Sequence, residues 1–102
     1  MPFSDEILII RVAQGDKTSL EILYDRHAAT ILGILVRIIG ERAIAEEILQ
    51  ETFWQVWQRA ATYQSQQGSF TSWLYRITRE LAMDAYGQVN AHLPQFFEKP
   101  KN

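Results

Sequence analysis

The sequence predicts an all-α protein, a compact bundle of four helices of which one is short and three are long. Apolar residues recur at helical spacing along four segments, and each segment has a capping residue or a glycine at an end. No segment shows the alternation of apolar and polar residues that is typical of a strand. Its 102 residues, 47% of them hydrophobic, suffice for one domain. We assign this domain to residues 1–90, and residues 91–102 to an extended tail or the start of an interdomain linker.

The first helix is predicted to be short. Ser4 is a capping residue, and Asp5 and Glu6 follow it at the positive end of the helix dipole. Gly15 ends the helix, which we expect to run to about Gln14.

The second helix is predicted to be long, with Asp16 as its cap and Gly40 as a left-handed terminator. Its apolar stripe includes His27, and no second histidine, cysteine or carboxylate stands at ligand spacing. We therefore expect a packed, hydrogen-bonded core histidine and not a metal ligand.

The third helix, from Glu41 or Arg42 to Ala60 or Ala61, separates its apolar and acidic residues on a helical wheel. Trp54 falls in the middle of the acidic group. A large aromatic among acids on an outer face favours a surface that binds a basic partner. The alternative is a solvated charged face with one exposed tryptophan. The candidate binding residues of this face are Glu47, Gln50, Glu51, Trp54 and Gln58.

The fourth helix is predicted to follow a polar loop from Tyr63 to Gly68, to be capped by Ser69 and to fade after Gly87. Opposite its buried stripe, phenols alternate with guanidinium groups, a pattern that suits single-stranded nucleic acid. The alternative is an ordinary polar face with two tyrosines packed at its edges. The residues of this face are Ser72, Tyr75, Arg79 and Tyr86, with Arg76 and Met83 on its shoulder.

The composition limits the classes of function. A net charge of −2 argues against a protein that coats duplex DNA by charge alone. The absence of cysteine suits a reducing cytoplasm, and neither a membrane span nor a signal peptide is indicated. We find no catalytic motif, metal site or cofactor motif, and we expect neither enzymatic activity nor a small-molecule substrate.

Three blocks of the sequence resemble region 2 of the bacterial sigma-70 family, in its extracytoplasmic-function subgroup. They are GDKTSLEILYDRH (15–27), AEEILQETFWQVWQ (45–58) and GSFTSWLYRITRELAMD (68–84). The resemblance implies that the third helix, with Glu47, Gln50 and Glu51, binds the β′ clamp helices of core RNA polymerase. It also implies that the following loop and helix capture flipped bases of single-stranded DNA at the −10 promoter element. The candidate DNA-binding residues are Tyr63, Ser72, Trp73, Tyr75, Arg76, Arg79 and Glu80.

Three departures from the family pattern bear on this function. After Asp84, where members usually carry a run of arginines, the chain reads AYGQVN. Glu80 stands where many members have asparagine, and its spacing would let it pair with Arg76. The second helical domain that reads the −35 element is missing, which indicates either an excised domain or a protein that works with region 2 alone.

Two further expectations follow. The alternative function is that of a sigma-like regulator that binds polymerase or an anti-sigma factor without productive promoter reading. Phe96 and Phe97 are expected to dock against the bundle of their own chain or a neighbouring copy, because exposed aromatics in a linker are costly in water.

Overall fold

The computed structural model describes residues 3–91, and the side chains of residues 3–87. The prediction of an all-α bundle with one short and three long helices is confirmed. Within the described residues there is no strand. The helices are α1 (Asp5–Ala13), α2 (Lys17–Ile39), α3 (Arg42–Arg59) and α4 (Phe70–Ala91), and two 3₁₀ turns, Ala60–Thr62 and Ser65–Gln67, lie between α3 and α4.

The starts of α1 and α2 and the end of α2 have the caps that the sequence predicts. The hydroxyl of Ser4 accepts a hydrogen bond from the backbone N–H of Ile7 at 3.2 Å, at the start of α1. At the start of α2, the carboxylate of Asp16 accepts from the Thr18 N–H, and the hydrogen bond from the Ser19 hydroxyl lowers the pKa of Asp16. Gly40 ends α2 with φ of 80°, a left-handed conformation that glycine adopts without strain.

The four helices share one apolar core. Helix α2 packs against α1, α3 and α4, and α4 also packs against α3. The apolar stripes predicted for α3 and for the first half of α4 are buried, because side chains three and four positions apart share a helix face. Ile48, Thr52 and Thr78, which were not predicted, are buried beside them. The side chains with no exposed surface include Leu8, Ile9, Leu23, Ile31, Leu35, Ala45, Val56, Phe70 and Leu74.

His27 is a packed, hydrogen-bonded histidine, as expected. Its Nε2 lies 2.8 Å from Oδ2 of Asp5, and its ring packs 5.6 Å from that of Phe70, measured between centroids. The other oxygen of Asp5 accepts a hydrogen bond of 2.8 Å from Arg26. One carboxylate at the start of α1 therefore joins that helix to two consecutive residues of α2.

The predicted end of α4 needs correction, and the expectations about the tail that follows it lie outside the described residues. Helix α4 continues past Gly87 to Ala91, because a single glycine lowers helix stability without ending the helix. The expected tail and the docking of Phe96 and Phe97 lie outside the described residues. None of the described helices is both long and apolar enough to cross a membrane.

Candidate functional site

The outer face of α3 exposes the residues that the helical wheel places there. The indole of Trp54 is 53% exposed, although tryptophan is usually largely buried. Glu51 accepts a hydrogen bond of 3.2 Å from the amide of Gln55, one turn further along the helix. Glu47, Gln50 and Gln58 are also exposed, so the five candidate residues are all accessible.

An open groove of about 450 Å³ runs beside Trp54, between the start of α2 and the middle of α3. The rings of Phe53, Trp54 and Trp57 and the side chain of Leu20 give it apolar walls. A groove with apolar walls and acidic residues nearby suits a partner helix that presents an apolar side chain beside basic ones. The wheel of α3 cannot indicate the contribution of α2, whose lining residues are Lys17, Leu20 and Glu21.

The polar face of α4 was expected to expose both guanidinium groups and phenols, and the structure agrees only in part. Ser72, Arg76 and Arg79 are exposed, whereas Tyr75 is half-buried and packs against the core. Trp73 is only 9% exposed, so its ring offers a base little open stacking surface. An open depression of about 550 Å³ on this face is lined by Arg76, Arg79, Glu80, Met83 and Asp84.

The loop between α3 and α4 closes on an aromatic cluster. The phenol of Tyr63 donates a hydrogen bond of 2.9 Å to the carbonyl of Gly68, and Gly68 has φ of 134°. The Tyr63 ring packs edge-on against Trp73, with centroids 5.6 Å apart, and Phe70 lies 5.9 Å from Trp73. These contacts pack the loop against the start of α4, beside Arg76.

A carboxylate of α1 caps the start of α4. Oε2 of Glu6 accepts a hydrogen bond of 2.9 Å from the backbone N–H of Phe70, one of the N–H groups at a helix start that has no partner within the helix. Ser69 supplies the expected second cap, accepting from the N–H of Ser72 at 3.1 Å. Sequence analysis missed the role of Glu6 because the two groups lie 64 residues apart.

Burial raises the pKa of the Tyr63 phenol, and the negative charge of Glu6 adds to this effect. Both factors disfavour the phenolate. Because the pKa of Tyr63 is higher in the folded state than in the unfolded state, the protonated phenol stabilises the folded state. This stabilisation is complete below pH 10.0, the ordinary pKa of tyrosine, and is lost as the pH rises through the folded-state pKa of Tyr63.

We therefore expect the free energy of unfolding to fall less steeply above pH 10 in Tyr63→Phe than in the parent. At neutral pH, Tyr63→Phe should cost about 0.5–1.5 kcal/mol, because the hydrogen bond to Gly68 is lost. Urea unfolding at several pH values measures both effects. Equal pH slopes for the two proteins would contradict the assignment.

Glu80 forms an ion pair with Arg59 of α3 and not with Arg76, the partner that its spacing within α4 suggests. Its Oε1 lies 3.8 Å from Nη1 of Arg59, the last residue of α3, and no ion pair with Arg76 forms. The expectation of an Arg76 pair is wrong because spacing within one helix does not reveal a cation on the neighbouring helix. Arg76 and Arg79 are exposed beside the pair.

A metal site needs several ligand side chains close together. In the part of the chain from 3 to 91, no three histidine, aspartate or glutamate side chains come together in a group that could hold a metal ion.

Comparisons with known proteins agree with the motif assignment. Residues 23–91 match the family model for sigma-70 region 2. The ECF RNA polymerase sigma factor SigK of Mycolicibacterium vanbaalenii is 33% identical over 79 residues, which cover 78% of this chain and 40% of that protein. SigK of Mycobacterium tuberculosis is 29% identical, with 78% of this chain and 42% of that protein covered. The chain spans about two fifths of the length of these curated relatives.

A solved structure has the same fold. The NMR structure of an engineered region 2 of sigmaE in complex with GTAAAA superposes with a TM-score of 0.78 at 22% sequence identity. The match covers 89% of this chain and 94% of that one. At this level of identity the comparison establishes the fold.

Proposed function

The chain belongs to the sigma-70 region 2 family, and from this membership we propose that it binds core RNA polymerase and helps to recognise and melt the −10 promoter element. In this proposal the chain acts in the cytoplasm and has no enzymatic activity of its own. The partner of α3 is the pair of β′ clamp helices, and the partner of α4 and its preceding loop is the single-stranded DNA of the opened promoter.

The observation that carries the polymerase-binding half is the exposed Trp54 above an apolar groove, with acidic residues on the same helix. Aromatic residues in the centre of an interface contribute most when they are desolvated in a well-packed pocket. The carboxylates of Glu47 and Glu51 add attraction for a basic partner and fix its orientation. We propose that Gln50 and Gln58 complete this surface through amide hydrogen bonds.

The DNA-binding half is supported by the arrangement of aromatic and cationic groups around the loop. Tyr63, Trp73 and Arg76 all line a small depression between the loop and the start of α4. Arg76 and Arg79 suit phosphates, and Ser72 and Glu80 offer polar groups to a base. The depression is nearly filled, with about 10 Å³ of free volume, so a captured base requires the loop to move.

We expect the chain to bind single-stranded DNA in preference to duplex, weakly and with a modest salt dependence. Two to four phosphate contacts should give a slope of log affinity against log salt of about −1.4 to −2.8. Arg76→Ala and Arg79→Ala should each reduce the magnitude of this slope by about 0.7. Fluorescence anisotropy with an oligonucleotide carrying GTAAAA, and with the same strand in duplex form, provides the measurement.

Arg37→Ala is the matched control, because it removes an exposed arginine from the last turn of α2. Its salt slope should equal that of the parent. Tight binding to random duplex DNA at moderate salt would rule out the proposed mode of binding.

The proposal as a whole is tested by mixing the chain with core polymerase and a labelled promoter fragment. Binding to core polymerase together with binding to the single strand supports the sigma function. Polymerase binding without affinity for any single strand instead supports the alternative, a sigma-like regulator that binds polymerase or an anti-sigma factor without productive promoter reading. The observation that favours this second candidate is the presence of two carboxylates, Glu80 and Asp84, in the depression of α4. No binding to core polymerase would exclude both.

A further inference from the structure

The ion pair between α3 and α4 places a third cation near the two arginines of the depression on α4. Arg59 is the last residue of α3, and its Nη1 lies 3.8 Å from Oε1 of Glu80, which lines the depression. The side chains of Arg59 and Glu80 are 40% and 57% exposed. The side chain of Arg59 is therefore partly accessible to solvent, and the carboxylate of Glu80 balances its charge.

We propose that Arg59 is a latent phosphate-binding residue and that Glu80 withholds it from the DNA strand. This inference rests on the proposed function, because it assumes that the strand passes over Arg76 and Arg79. In the parent chain those two arginines bind phosphates, while the guanidinium of Arg59 stays with the carboxylate of Glu80. The side chain at position 80 then determines whether two or three arginines bind phosphates of the DNA strand.

The geometry of the pair supports this role. At 3.8 Å the two atoms are beyond hydrogen-bonding distance, so charge alone holds them together. The Arg59 guanidinium makes no hydrogen bond to Glu80, so once the charge of Glu80 is removed its planar donors can bind a phosphate through two parallel hydrogen bonds. Exposed ion pairs of this kind contribute little to stability, so loss of the carboxylate should free the arginine without disturbing the fold.

Glu80→Gln provides the first test, because glutamine keeps the length of the side chain and removes its charge. We expect tighter binding of a single-stranded oligonucleotide and a salt slope steeper by about 0.7, the contribution of one phosphate. The gain over the parent should shrink about threefold between about 50 mM and about 200 mM salt. Fluorescence anisotropy across this salt range gives the slope.

Arg59→Gln, made in both backgrounds, identifies the cation that is freed. In the Glu80→Gln background it should return the slope to the parent value, whereas in the parent background it should change the slope by less than about 0.2. Asp84→Asn is the matched control, since it removes a different carboxylate from the same depression. In the Asp84→Asn background, Arg59→Gln should again leave the slope almost unchanged.

Equal effects of Arg59→Gln in all three backgrounds would overturn the inference, as would an unchanged slope in Glu80→Gln. Two probes separate this result from a failure of the proposed function: the GTAAAA oligonucleotide and its scrambled version. Coupling between Arg59 and Glu80 without sequence preference supports the inference and contradicts −10 recognition. Sequence preference without coupling supports −10 recognition and contradicts the inference. The absence of binding in every variant overturns both the inference and the DNA-binding half of the proposed function.

Discussion

Replacing Glu51 with lysine is expected to weaken the affinity of the chain for core RNA polymerase by about 2–5 kcal/mol, the range for a charge that becomes desolvated in an interface. The new lysine would meet the basic residues that we propose in the partner, and like charges in an interface are strongly unfavourable. Gln50→Ala should weaken the same binding less, because it removes a neutral hydrogen-bonding group. Trp54→Ala should cost about 2 kcal/mol or more if the indole is buried at the centre of the interface.

The three residues are exposed in the free chain, so each change should alter the free energy of unfolding by no more than about 0.5 kcal/mol. Asp25→Lys is the control, since it makes the same change of charge at an exposed position of α2. The measurement is a binding titration with core polymerase, accompanied by far-ultraviolet circular dichroism. Equal affinities for the parent, Glu51→Lys and Trp54→Ala would show that α3 does not carry the interface.

Phe70→Ala is expected to lower the free energy of unfolding by about 3–5 kcal/mol. The Phe70 ring is fully buried and contacts three rings, those of His27, Tyr63 and Trp73. Truncation removes this apolar area and leaves a cavity between α2, α4 and the loop, which a rigid bundle fills only partly. A small domain has only about 5–15 kcal/mol of stability in total, so the effect is large.

Urea denaturation measures this loss as a lower transition midpoint with an unchanged dependence on denaturant. Trp54→Ala is the comparison, because it truncates an aromatic side chain that is 53% exposed. Its stability should stay close to that of the parent. A loss of less than about 1 kcal/mol in Phe70→Ala would mean that the aromatic cluster does not hold the loop to the bundle.

The parts of the fold that were predicted from the sequence are those that depend on neighbouring residues in the chain. Ser4, Asp16 and Ser69 cap helices through side chains two or three residues from the groups that they bind, and Gly40 adopts its left-handed conformation without any distant contact. The buried stripe of α3 follows from the period of the helix alone. The exposure of Trp54 was predicted for the same reason.

The contacts that were not predicted join residues far apart in the sequence. The ion pair of Arg59 with Glu80 and the hydrogen bond from Phe70 to Glu6 depend on how helices are placed side by side. The groove beside Trp54 needs Leu20 of another helix. A helical wheel shows only which residues of one helix share a face. Contacts between helices depend on how the helices pack and cannot be obtained from it.

The end of α4 and the burial of Trp73 show two further limits. Glycine at position 87 does not end the helix, because the cost of one glycine is only about 1 kcal/mol and neighbouring turns compensate for it. Trp73 belongs both to the apolar stripe and to the motif that resembles a base-binding segment. The structure buries most of its ring, and a direct role in base binding stays a prediction.

The two carboxylates of α1 also constrain the order in which the bundle folds. A helix of nine residues is marginal in water by itself, so α1 needs its tertiary partners to persist. Asp5 finds its partners more than 20 residues further along the chain, and Glu6 finds its partner 64 residues away. Closing such long loops is slow in comparison with local helix formation. We therefore expect α1 to reach its native packing last, after α4 has formed.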